Sequence, residues 1–120
     1  MTTCYLLFNP TKAEYIAFTR LPVCTKREII DYPIATAMIA FYLLQNSGDA
    51  IIILSEYDEE RFPERFDTYR EVTDATLDLM IEHGFAFEVK REYLFANDPT
   101  IYTRHMELQE ITWAYRAQLE

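Results

Sequence analysis

"FDTYREVTDATLDLMIEHGFAFEVKREYLF", residues 66–95, changes its period in the middle. Up to His83 the spacing is helical: Tyr69, Val72, Thr76, Leu79, Met80 and His83 share one side, and Leu77 and Ile81 widen it. From Phe85 the spacing is two, with Phe87, Val89, Tyr93 and Phe95 in phase and Arg91 breaking the pattern. Gly84 stands between the two patterns, where a helix takes its C-terminal glycine. The stretch therefore predicts a helix over 67–82 followed by a strand over 85–95.

The other side of that helix is acidic. Asp67, Glu71, Asp74, Asp78 and Glu82 follow one another at steps of four, three, four and four. At roughly 100° per residue, they fall within about 40° of one direction, along a line of about 22 Å. Solvent faces usually mix signs, because Glu–Lys pairs four apart stabilise a helix by about 0.2–0.5 kcal/mol and like pairs cost as much. Asp78 and Glu82 also oppose the helix dipole. The row is costly to folding, which points to selection for something other than stability.

Working outward toward the N-terminus, "DEERFPERFD" (58–67) is a charged connection broken by Pro63. "AIIILSEY" (50–57) is a continuous apolar run of strand length and reads as a central strand. "IATAMIAFYLLQN" (34–46) carries no charge, so it predicts a helix buried on most sides, with Pro33 at its start and Gly48 beyond its end. "TKRE" (25–28) has the form of a capping box. "CYLLFN" (4–9) and "EYIAFTRL" (14–21) predict a β-hairpin. Toward the C-terminus, Asp98-Pro99 reads as an N-cap and first helical residue, predicting a last helix almost to the end. On it, Tyr102, Met106 and Trp113 form a stripe beside the core face, widening the apolar arc beyond what one sheet covers. The order β-β-α-β-α-β-α predicts one α+β domain over residues 1–120, a two-layer α/β sandwich with a four-stranded mixed sheet.

Composition narrows the function. The chain has 120 residues and a net charge of −9, yet residues 49–82 hold eleven acids against three bases. A localised acidic block sets up a directed field that steers basic partners and repels nucleic acid and anionic lipid. Lysine and arginine are scattered, so direct nucleic-acid binding is not expected. Both of the two glycines read as helix caps, which leaves no phosphate-cradling loop, and no cofactor is implied. No apolar run approaches the roughly 20 residues of a membrane span, and "MTTCYLLFNP" lacks the basic start of a secretion signal. A cytoplasmic protein is expected, with Cys4 and Cys24 as reduced, buried thiols. His83 and His105 read as structural.

These features predict a non-enzymatic inhibitor that binds a basic nucleic-acid-binding protein or nuclease. Its acids, Glu59, Glu60, Glu64, Asp67, Glu71, Asp74, Asp78 and Glu82, would stand in for phosphates, with Tyr102, Met106 and Trp113 adding apolar contact. Phage anti-defence proteins, such as anti-CRISPR or anti-restriction inhibitors, and nuclease-immunity proteins share this profile of size and charge. Two alternatives stand beside it. Glu56 and Asp58, just after a strand, could serve a small metal-dependent hydrolase or nucleotide-processing enzyme. The uncharged helix and the aromatic stripe could instead bury each other in a homodimeric module.

Overall fold

The computed structural model describes residues 3–110. Its first sheet grows from the predicted hairpin. Strands β1 (Tyr5–Asn9) and β2 (Glu14–Ala17) pair antiparallel with Leu7 opposite Ile16, and β3 (Ile52–Ser55) adds to the other side of β1. A two-residue strand, β4 (Arg70–Glu71), runs parallel to β2 and completes the order β3-β1-β2-β4. The sheet is four-stranded and mixed, as expected, but β3 is an edge strand rather than a central one.

Helix α1 (Lys26–Asp31) starts at the Thr25/Glu28 capping box, and α2 (Pro33–Gln45) restarts the chain with proline at its first position. Leu7 and Ile16 face the helices and are buried against Ile34, Met38 and Phe41 of α2 and against Leu77 and Met80 of α3 (Thr73–Glu82). Phe8 points to the opposite face, as the alternation of a strand requires. There the connection after β3 lays Phe62 and Phe66 on it, with ring centroids 4.8 and 6.4 Å away. Helices thus cover one face of the sheet and an aromatic strap covers part of the other.

Two elements depart from the expected order. The acidic helix starts at Thr73, not at Asp67. Before it, Arg70 N and Val72 N donate to the carbonyls of Ala13 and Tyr15, so ladder bonds to β2 hold this segment extended. Thr73 Oγ1 then accepts from Ala17 N and donates to Ala17 O, tying the helix start to the end of β2. Gly84 ends the helix with φ +78°, a conformation that suits glycine.

The second departure is larger. Residues 98–108 are a strand, β6 (Asp98–Leu108), paired antiparallel with β5 (Ala86–Phe95) in a separate two-stranded ribbon. The described part of the expected last helix is therefore wrong, and its remainder, with Trp113, lies outside the described residues. Asp98 Oδ1 does accept from Thr100 N and Oγ1, so the capping chemistry exists but starts a strand. The strand predicted over 85–95 forms, but it joins β6 instead of the four-stranded sheet. Cys4 and Cys24 are not free thiols: they form a disulfide between the start of β1 and the loop before α1. Tyr5 N donates to Cys24 O at 3.0 Å, which holds the two segments side by side.

Candidate functional site

The backbone breaks the acidic row before its side chains are considered. Asp67 sits in a 3-10 turn (Phe66–Thr68) and Glu71 in β4, so only Asp74, Asp78 and Glu82 ride on α3. Two of those three are already neutralised within the fold. Arg104 of β6 is 1% exposed and reaches across to α3. Its Nη1 donates to Asp74 Oδ1 at 3.2 Å, its Nη2 to Asp78 Oδ1 at 2.8 Å, and its Nη2 also to Glu88 Oε1 at 3.0 Å. Asp74 Oδ2 further accepts from Arg20 Nε at 3.2 Å and from the Tyr102 hydroxyl at 2.8 Å.

Electrostatics follow this geometry. Burial alone would raise the Asp74 carboxyl, but hydrogen bonds from Tyr102 and Arg104 and the charges of both arginines hold it below the usual range. The hydrogen bond from Arg91 leads in lowering Glu88, and Arg104 adds to it. Glu71 goes the other way: burial raises it, Arg20 only partly offsets that, and Asp74 adds repulsion. The inner part of the predicted surface is therefore a structural ion cluster that joins the ribbon to α3.

The stripe on the C-terminal segment fares similarly. Tyr102 and Met106 do share a face, on a strand. Met106 is buried in the core, and Tyr102 is half-buried with the guanidinium carbons of Arg20 and Arg91 at 3.9 and 4.4 Å from its ring centroid. Met106 therefore offers no exposed area, and the Tyr102 ring is already engaged by two cations. His105 lies on the other face of β6, with its Nε2 3.3 Å from Glu92 Oε1. His83 caps α3 and stacks edge-on with Phe41.

The remaining acids stand apart. Glu59, Glu60, Glu64, Asp67, Glu71 and Glu82 are exposed, Glu71 with its carboxyl still partly desolvated, and among the described residues none of them forms an ion pair. Glu59, Glu60, Glu64 and Asp67 belong to the strap whose Phe62 and Phe66 are anchored on Phe8. Turn hydrogen bonds brace it: Phe62 N to Glu59 O, Phe66 N to Pro63 O and Thr68 N to Arg65 O. An irregular connection thus carries its carboxylates on a packed aromatic base.

The carboxylates after β3 have local tasks. Glu56 Oε1 accepts from Cys4 N at 3.2 Å, and Asp58 Oδ2 accepts from Ser55 Oγ at 2.9 Å. Among the described residues no three His, Cys, Asp or Glu side chains are grouped to hold a metal ion. Sequence reasoning also missed a buried polar chain. Tyr42 donates to Glu14 Oε1 at 2.6 Å and accepts from Asn9 Nδ2 at 3.0 Å, while Arg70 reaches Glu14 Oε2 at 3.3 Å. Burial, then the bond to Glu14, raises the Tyr42 phenol well above its ordinary value. Only the polar residue types inside apolar elements hinted at it.

No helix among the described residues is long and apolar enough to cross a membrane. Comparison with known protein families, curated proteins and solved structures finds no match to this chain.

Proposed function

We propose that this protein acts by binding another protein, and that the strap acids Glu59, Glu60, Glu64 and Asp67, with Glu71 beside them, occupy a basic surface made for nucleic acid. One observation carries the reading. The fold neutralises Asp74 and Asp78 with its own arginines, yet among the described residues the strap carboxylates form no ion pair, even with Arg61 and Arg65 on the same strap. Clustered unpaired carboxylates repel one another and gain nothing in folding. Held on an aromatic base, they present negative charge with little ordering left to lose on binding. The partner class is a nuclease or a nucleic-acid-guided complex, as an anti-defence or immunity protein would target. Such partners act inside cells, which favours a cytoplasmic setting; the disulfide favours an oxidising one. Thiol titration of protein taken directly from cells decides between them.

The test is capture from nuclease-treated lysate, followed by elution with duplex DNA. The expected result is a basic nucleic-acid-binding protein that DNA displaces and that salt weakens. Captured proteins that DNA does not displace would overturn the mimicry.

A further inference from the structure

The strap and the sheet enclose a groove of about 360 Å³ lined by Leu6, Phe8, Tyr15, Ala17, Phe62, Phe66, Asp67 and Tyr69. Four of these, Leu6, Phe8, Tyr15 and Ala17, come from one face of the β1–β2 hairpin, with Phe8 opposite Tyr15 and Leu6 opposite Ala17. The others come from the strap and the turn before β4. The rings meet one another at an angle, with Phe62 and Phe66 centroids 5.0 Å apart at 82° and Phe8 and Tyr69 at 68°. The groove therefore offers both ring faces and edges. Its one charged lining residue is Asp67, an exposed carboxylate without an ion pair among the described residues.

We infer that this groove seats an arginine side chain of the partner. An aromatic wall beside a single carboxylate matches a guanidinium in particular. That group is planar, stacks on rings, is weakly hydrated, and can still give a carboxylate two parallel hydrogen bonds. A lysine ammonium is more strongly hydrated and loses more on entering an apolar groove. A purely apolar anchor would leave Asp67 with no partner. Charge complementarity chooses the occupant: the strap over 58–67 carries five acids against Arg61 and Arg65, and of its charged side chains Asp67 is the one that lines the groove. Arginine is also a frequent energetic anchor at protein interfaces. The assignment rests on the reading that the partner is basic, and it names the side chain that would fix it.

The experiment is an amide chemical-shift titration of the whole chain with acetyl-Gly-Arg-Gly-amide at low salt. Peptides carrying lysine, or citrulline as the neutral isostere, run beside it. The expected result is saturable shifts at Leu6, Tyr15, Phe62 and Asp67, with the order arginine, then lysine, then citrulline. Asp67→Asn, at an exposed position, should weaken the arginine peptide about two- to fivefold without unfolding the protein. Absence of saturable shifts at the groove, or citrulline binding as well as arginine, overturns the proposal. The two readings fail separately. Groove binding in a protein that captures no basic partner removes the proposed function, whereas DNA-displaceable capture without groove binding removes only the anchor.

Discussion

Arg104 decides what the acids of α3 can do. A cation that is 1% exposed among three carboxylates is held by geometry, and removing it leaves the partly buried Asp74 with only Arg20 and Tyr102 and Glu88 with only Arg91. Arg104→Met should cost about 3 kcal/mol, the low end for a broken buried pair because Asp78 stays wet, read from urea unfolding. The same cluster sets the acid limit. Asp74 and Glu88 have folded pKa values below their ordinary ones, so their stabilising contribution is present above that ordinary range and is lost as pH falls through the lowered values. Unfolding midpoints should therefore drop below about pH 4, and Arg104→Met should flatten that drop. Glu71 has the opposite sign: its raised pKa means the ionised form is disfavoured in the fold, so Glu71→Gln should raise stability at neutral pH and not at pH 3. None of this was legible in the sequence. Counting charges along 66–84 found the acids but not the arginine opposite them, which arrives from a strand read as a helix.

Elements were legible where the signal was local. The hairpin, the capping box, Pro33 and Gly84 each carry their own chemistry and stand where their residues place them, except that the hairpin's second strand ends at Ala17 and Phe18–Arg20 form a 3-10 turn. The C-terminal strand was not legible, for a geometric reason. Tyr102 and Met106 are four apart, a spacing that keeps two side chains on one face of a helix and of a strand alike. The partner strand decides between the two, and a pairing is a non-local fact. β4 is invisible for the same reason, since its two residues are extended only because β2 accepts them. The disulfide also depends on neighbours that are distant in sequence. It closes a 20-residue separation, so Cys4→Ser with Cys24→Ser should cost about 3 kcal/mol on the loop-entropy estimate, again by urea unfolding. A thiol assay on denatured, unreduced protein should find no free thiol; two would contradict the pairing.

At the scale of the molecule, the sheet has two differently used faces. Helices bury Leu7 and Ile16 in the main core, and the other face supports a strap that carries acids outward and rings inward. The ribbon of β5 and β6 contributes Met106 to the core and Arg104 to α3. An aromatic-lined groove reads in sequence as more core, so composition alone could not reveal it. The acidic block likewise divides only in three dimensions, into Asp74 and Asp78, which Arg104 ties into the fold, and strap acids that form no ion pair among the described residues. That division is the central claim, and paired variants test it directly. One changes Glu59, Glu60, Glu64 and Asp67 to Gln or Asn; the other changes Asp78 and Glu82. Both are checked for folding by circular dichroism, then compared with the unmodified protein in capture of a DNA-displaceable basic partner. The account predicts that the strap variant loses the partner and the helix variant keeps it. Loss in the helix variant with retention in the strap variant would contradict it.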